Sequence, residues 1–381
     1  MATGTRYTYT DTVTSKRAIG DVIHMIDWKE APLLRLFGFG PENIRKFKFV
    51  NWPSTKAEWI EDAMSPYTDV MNDSGGIDNS TTTMTVTNGA YFRAGDVIMV
   101  DSEKMLVTGV SGNDLTIVRS WGDPAAASHS DGATITILTR AMPEGATYTT
   151  GHTTVPTAPY NYTQIISEAA AVSKSELALT RYGIADALDY QVAKLFADGG
   201  RAGKLAKFLQ RTFYYGERTQ RSTGNAYGSM GGFGIFVTTN VTALGGAALQ
   251  RSDIHKKIRD IRDAGGACDT VVTGSWGIEK ITNMYDGYVT MSRSDTRGGS
   301  KITMVTTPHG DVELVYDYMC PAGYMYFVDS AKVGWVPMRA FSSSKIAEQG
   351  DYYVTDVVGE YTFVVANEKS HGIISGFSTT S

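Results

Sequence analysis

The sequence predicts an α+β protein that carries a small all-β module as an insertion. Three observations predict it. Hydrophobic periodicity is two-fold from about 81 to 140, becomes helical after 165, and is mostly two-fold again from 300 onward. Helices and strands are therefore grouped rather than strictly alternating. The module also lies between two linker-like stretches, 54–80 and 141–165, marked by Pro66, Gly75-Gly76 and a Thr/Pro/Gly-rich return. Length and composition agree: 381 residues suffice for two or three domains of roughly 100–200 residues, and 42% hydrophobic residues with a mean hydropathy of -0.18 suit a folded chain.

Positions 1–20 alternate Thr with Tyr, Arg or Val and read as an extended arm without a core of its own. Asp21 caps a short helix bearing Ile23 and Ile26, which Pro32 interrupts. "APLLRLFGFG" (31–40) supplies an apolar cluster with a glycine-rich exit, and "FKFVNWP" (47–53) alternates like a strand. Inside the module, "GDVIMV" (95–100), "EKMLVTGV" (103–110), "LTIVR" (115–119) and "ATITIL" (133–138) read as strands, the middle pair joined by the short loop "SGND".

Beyond 165, Leu188, Val192, Leu195 and Phe196 share one helical stripe, continued by Leu205, Leu209 and Phe213. The pattern predicts a long helix over about 184–215 with a bend or break near Gly199-Gly200, since each interior glycine costs about 1 kcal/mol relative to Ala. Gly216 ends it. "GNAYGSMGGFGIF" (224–236) has neither the G-x-G-x-x-G spacing nor a preceding strand, so it reads as a flexible surface loop rather than a phosphate cradle. A helix then starts at Ser252 or Asp253, buries Ile254, Ile258 and Ile261, and stops at Gly265-Gly266. "DTVVTG" (269–274) is a strand and "SWGIEKITNMY" (275–285) a second capped helix. Strands follow in "KITMVTT", "DVELVYDY", "GYMYFVD", "VGWVPM", "YYVTDVV" and "EYTFVVANE".

Chemistry-bearing motifs are missing from the sequence. It holds no G-x-S-x-G, H-E-x-x-H, C-x-x-C or P-loop pattern. His24, His129, His152, His255, His309 and His371 show no ligand-like spacing. We therefore assign no catalytic, cofactor-binding or metal-binding residue, expect no cofactor, and expect no enzyme. Cys268 and Cys320 cannot build a disulfide framework or a four-ligand zinc site, which points to a reducing, intracellular origin. Cys268 reads as a buried, inert thiol. The first residues lack the apolar core of a signal peptide and no run approaches 18 apolar residues, so a soluble protein is expected.

Net charge is -5, which creates no general attraction to nucleic acid. The basic stretches "RAGKLAKFLQR" (201–211) and "HKKIRDIR" (255–262) read as solvated faces or subunit salt bridges. Charged residues make up 20% of the chain, below the roughly 25% of typical soluble domains, while Tyr and Trp number 21 and 6. That balance fits a protein that hides much of its surface against partners.

Gly95, Asp96, Glu103, Met105, Val107, Thr108, Val110, Gly112, Asn113, Leu115, Thr116, Val118 and Arg119, followed by Ala125, Ala126, His129 and Gly132, resemble a β-module common in tailed-phage virion proteins. "SWGDP" (120–124) departs from that pattern. "DVIHMIDWKEAPLLRLFG" (21–38) resembles the N-terminal signature of one group of tailed-phage major capsid proteins. The resemblance implies the Hong Kong ninety-seven-type capsid fold: an N-terminal arm (1–48), an extended loop (49–80 and 141–165) bearing the inserted module (81–140), a peripheral domain with a long spine helix (166–218 and 342–381) and an axial domain (219–341). It implies self-assembly as pentamers and hexamers into an icosahedral or prolate shell around double-stranded DNA, in the host bacterial cytoplasm. A separate scaffolding protein, a portal and decoration proteins would be partners. Two other readings stay open at this point. A tail or fibre component with a glycan-binding module would favour repeats or heptads, and a glycan-acting enzyme would need a cleft with paired carboxylates.

Overall fold

The computed structural model describes residues 31–37, 53–122, 125–146, 153–180, 183–197, 200–285, 304–348 and 350–379. The expected arm, the helix after Asp21 and the strand at 47–52 lie outside the described residues. Two compact units emerge: 60–158, and a larger one built from the segments before and after it. The chain leaves the larger unit at Trp59 and returns at Pro159, where the Trp59 amide donates to the Pro159 carbonyl at 3.1 Å.

Unit 60–158 contains strands β2 (Thr68–Val70), β3 (Thr83–Thr85), β4 (Asp96–Val100), β5 (Glu103–Ser111), β6 (Asp114–Val118) and β7 (Thr134–Arg140). They form one antiparallel sheet in the order β2-β7-β4-β5-β6-β3. Its two edges also meet. Met71 bridges Val86, the Asn72 amide donates to the Thr85 carbonyl, and the Thr87 amide donates to the Val70 carbonyl. The sheet therefore closes on itself as a small barrel, and no edge is left to recruit a foreign strand. Met71, Met84, Ile98, Met105, Val107 and Leu115 fill its interior. Gly95 shows why its position takes no side chain: it sits at φ +94, and a Cβ there would stand 2.4 Å from the Ala141 carbonyl oxygen.

The four strands expected from alternation are β4 to β7. The barrel nonetheless reaches back to Thr68, into the stretch read as loop. β2 has the sequence TDV and its one buried residue is Asp69, so it carries no apolar alternation. Only its pairing with β7 makes it a strand.

The larger unit contains α1 (Pro32–Phe37), β1 (Lys56–Glu58), β8 (Tyr160–Tyr162), β9 (Gln164–Ser173), α2 (Lys174–Leu177), α3 (Ala187–Leu195), α4 (Lys204–Tyr215) and α5 (Phe233–Phe236). β10 (Val241–Ala243), α6 (Arg251–Asp263), β11 (Thr270–Thr273) and α7 (Ser275–Tyr285) follow. The chain ends with β12 (Met304–Thr307), β13 (Gly310–Tyr316), β14 (Tyr324–Val328), β15 (Val333–Lys345), β16 (Tyr352–Val365) and β17 (Gly372–Ser375).

A mixed sheet, ordered β10-β17-β14-β11-β13-β12, divides two cores. Strand residues alternate between its faces. Val272, Tyr326, Val328 and Ile373 enter one core with Leu205, Leu209 and Phe213 of α4 and Leu33, Leu34 and Phe37 of α1. Val271, Met325, Phe327 and Ile374 enter the other with Ile254, Ile258 and Ile261 of α6 and Ile281 of α7. The second sheet, β15-β16-β9, covers the first core with Trp335, Tyr361 and Phe363. Phe213 is its hub, with ring centroids 4.9–6.4 Å from those of Phe37, Phe233, Tyr326, Trp335 and Phe363.

Pro32 is the first residue of α1, where its missing N–H costs nothing, and the helix it was expected to interrupt lies outside the described residues. The helical stretch expected over 184–215 with a break near Gly199-Gly200 is two helices, α3 ending at Leu195 and α4 starting at Lys204 after Gly203 at φ +97. Asp253 does not start α6: it is the third residue, and its carboxylate accepts the Gln250 amide at 2.9 Å. β15 pairs with β16 along its length, and β17 pairs with β10 and β14.

The glycine-rich stretch is not wholly a surface loop. Met230, Gly231, Gly232 and Phe233 are buried against the end of α4. The Gly232 amide donates to the Gly216 carbonyl at 2.9 Å, and a Cβ on Gly232 would lie 2.4 Å from the Thr212 carbonyl oxygen. Backbone meets backbone there. Gly232→Ala is expected to destabilise the larger unit by about 2 kcal/mol or more, read as a lowered midpoint in chemical denaturation, whereas Gly224→Ala, which meets open space, leaves the midpoint in place.

Candidate functional site

The densest charged cluster lies in unit 60–158. Glu103 opens β5 and is 1% exposed, so its carboxylate needs partners for all its lone pairs. Arg119, just past β6, supplies a two-pronged pair: Nε to Oε1 and Nη2 to Oε2, both 2.8 Å. The amides of Ser120 and Ala127 donate at 3.2 and 2.8 Å, and His129 Nε2 lies 3.1 Å away. Burial alone would raise the Glu103 pKa; Arg119 first, then the Ala127 amide, His129 and the Ser120 amide, override it and bring it down to about 2. Arg119 also donates to the carbonyls of Asp78, Thr81 and Ala127.

Asp101, His129 and Glu103 form a chain, with His129 Nδ1 2.7 Å from the Asp101 carboxylate. It superficially resembles a catalytic triad. Both ring nitrogens, however, are occupied by carboxylates, and the ring is almost wholly buried. No nitrogen is left to exchange a proton with a substrate. The cluster instead fastens the segment 119–129 to the barrel, and His129 exchanges backbone hydrogen bonds with Ile77 in both directions at 2.9 Å.

Other residues of the quoted β-motif have similar duties. Buried Asp96 accepts the Arg93 amide at 2.7 Å and Arg140 Nε at 2.6 Å. Gly112 turns at φ +63, and Asn113 Oδ1 accepts the Gly89 amide at 3.0 Å. Thr108 Oγ1 donates to the Thr116 carbonyl. Met105, Val107 and Leu115 are core. Each of these matched residues builds the module.

The larger unit holds three buried polar groups that sequence reasoning missed. Asn161 clamps three strands of chain: Nδ2 donates to the Gly231 and Phe363 carbonyls, and Oδ1 accepts the Gly231 amide. Glu360 accepts Thr163 Oγ1 at 2.7 Å and Arg221 Nη1 at 2.8 Å, with Arg339 Nη2 at 3.2 Å. Asp317 has no cation on it among the described residues. Gln210 Nε2 donates at 2.6 Å and the Tyr214 hydroxyl at 2.5 Å, and burial raises the Asp317 pKa. Gln210 Oε1 in turn accepts the Leu33 amide of α1. None of these polar residues carries a sequence signal, because the partners named lie 21 to 202 positions away.

Cys268 and Cys320 are buried free thiols, each pushed up to about 12 by burial. His371 is buried and neutral: Nδ1 accepts the Asp329 amide, Nε2 donates to the Ala366 carbonyl, and burial takes its pKa down to about 4. Among the described residues no three His, Cys, Asp or Glu side chains converge as metal ligands would. Lys204 and Arg211 of the first basic stretch are exposed, while Lys257 of the second is buried with Nζ on the Asn240 carbonyl. Among the described residues no helix is long and apolar enough to cross a membrane.

Large apolar side chains in water are the other notable feature. Ile60 and Met64 are 81% and 80% exposed, and Val155, near them across the Glu61–Thr157 bridge, is 84% exposed.

The family model described as SU10 major capsid protein matches residues 3–378. No curated protein sequence matches the chain. Among solved structures, the cyanophage A-1(L) capsid asymmetric unit is similar over 98% of this chain and 100% of that one, with TM-score 0.56 at 12% identity. A structure from Mycobacterium phage Cain is similar over 99% of this chain and 100% of that one, with TM-score 0.50 at 9% identity. These likenesses show a shared fold, the one the sequence motifs imply.

Arg119→Met is expected to destabilise unit 60–158 by about 3 kcal/mol, because it leaves the Glu103 charge buried without its cation. Glu103 binds its proton near pH 2 when folded and near 4.5 when unfolded. Its contribution is therefore complete above 4.5 and lost as pH falls toward 2. Denaturant titrations from pH 6 to 2 on both proteins check this; an unfolding midpoint in the variant as steeply acid-dependent as in the wild type refutes it.

Proposed function

From the premise that this chain belongs to the SU10 major capsid protein family, we propose that its copies gather as pentamers and hexamers into an icosahedral or prolate shell around phage double-stranded DNA. That it is a major capsid protein, a structural component of the virion that forms the shell, follows from the family match over 3–378, and this observation carries the reading. The surface supports the finer part. Exposed Ile60, Met64 and Val155 are side chains that a neighbouring copy can cover. A net charge of -5 lets the shell hold DNA by geometry without gripping its phosphates.

The domain assignment follows the same reading. Residues 1–48 serve as the arm, 49–80 and 141–165 as the extended loop, 81–140 as the inserted module, 166–218 and 342–381 as the peripheral domain, and 219–341 as the axial domain. α3 and α4 form the spine. A separate scaffolding protein, a portal and decoration proteins complete the assembly, in the host bacterial cytoplasm.

Sedimentation with negative-stain imaging of the purified chain is expected to show rings of five and six subunits or closed shells. A strictly monomeric or trimeric species under all conditions overturns the reading. Ile60→Glu combined with Met64→Glu is expected to stop shell growth while changing folding stability by less than about 0.5 kcal/mol, as exposed sites do.

A further inference from the structure

We propose that the exposed line of α4 is a docking site for an acidic, amphipathic helix of a separate protein. α4 reads KLAKFLQRTFYY: three cations and no acid, in a chain that is acidic as a whole. Leu205, Leu209 and Phe213 are buried. Lys204, Phe208, Arg211 and Tyr215 fall at i, i+4, i+7 and i+11 on the opposite side and are exposed. Two of them are aromatic, Phe208 at 37% and Tyr215 at 62% exposure.

The order along the line is cation, aromatic, cation, aromatic. Each type thus repeats after seven residues, about 10 Å along a helix. That is the repeat of a facing helix that places apolar residues against Phe208 and Tyr215 and carboxylates beside Lys204 and Arg211. An extended segment presents same-face side chains about every 7 Å and fits the repeat less well. A DNA duplex would engage the two cations and leave both aromatic rings in water.

The cations are available. Lys204 Nζ pairs with Glu168 at 2.6 Å, but both ends are exposed, and such a pair exchanges partners at little cost. Arg211 is in no ion pair among the described residues. Neither α6 nor α3 presents such a face: α6 turns Arg251, Lys256, Arg259 and Arg262 outward, and α3 exposes Asp189, Gln191 and Ala193, with no large apolar residue among them. The inference rests on the reading of the chain as a shell protein whose assembly is guided by a second protein.

The probe is a synthetic helix of about four heptads with Leu at its core positions and Glu on its flanks, titrated by fluorescence anisotropy into the full-length, unassembled chain. Controls replace Glu by Lys, or Leu by Ala, and a DNA duplex serves as competitor. The Leu/Glu helix is expected to bind at least about tenfold tighter than either control, and Arg211→Glu and Tyr215→Ala are each expected to weaken it about tenfold. Equal binding of the three helices, indifference to both substitutions, or displacement by the duplex overturns the proposal. Shells of the chain alone that already shield Arg211 from arginine-specific labelling would place a second copy there, and also overturn it. Wild-type chain that forms shells yet ignores the helix sinks the docking site only; wild-type chain that never forms rings or shells sinks the shell reading on which it rests.

Discussion

A sheet buried on both faces must send successive side chains of each strand into different cores, and the larger unit is organised by that demand. Val271 and Val272 of β11 point opposite ways, as do Tyr326 and Phe327 of β14 and Ile373 and Ile374 of β17. One face then requires α4 and α1, the other α6 and α7. The strands arrive from four separate stretches of chain, and β17 comes only a few residues before the C-terminus. Neither core is complete until the last of them pairs, so the unit depends on contacts distant in sequence, whose loop-closure cost is paid before burial returns it.

The same demand explains what could be read from the sequence. Elements that bury one face alone announce themselves by period: β5 and β6 alternate, α6 shows Ile254, Ile258 and Ile261 on one side, and α4 carries its Leu205, Leu209, Phe213 stripe. Elements defined by a partner do not. β2 has no apolar alternation, and β17 is four residues whose sheet cannot be guessed from GIIS alone. Gly231 and Gly232 look like loop residues because glycine serves both open turns and tight backbone packing, and only the nearness of Thr212 and Gly216 distinguishes the two. Of the charged cluster, Glu103, Arg119 and His129 were singled out as motif residues, but their mutual contact spans 16 and 26 positions and has no local signature.

Buried carboxylates are handled in two ways that suit their surroundings. In the small barrel, Glu103 keeps its charge because a guanidinium and two amides surround it, and that charge fastens a segment lacking an apolar anchor of its own. A barrel with so few interior side chains gains specificity by pinning its longest connection to one place. Asp317 is paired by hydrogen bonds from Tyr214 and Gln210, and burial raises its pKa in spite of them. There the hydrogen bonds define where α1 meets α4, while the aromatic packing around Phe213 supplies the bulk of the stabilisation.

Among the described residues each unit has its own buried apolar core, and Ile60, Met64 and Val155 belong to none of them. Burying one such as Ile60, Met64 or Val155 is favourable by about 1.5–3 kcal/mol, and a monomer forgoes all of it. An enzyme or a lone binding module gains nothing from that arrangement. A closed assembly does, since every copy offers the same patches and each contact is repeated around the shell. Individually modest contacts are then an advantage: subunits that dock wrongly can release before the lattice closes, and the closed shell holds because removing one copy breaks many contacts together. The exposed side chains of Ile60, Met64 and Val155 are places where the surface of this capsid protein can meet other surfaces.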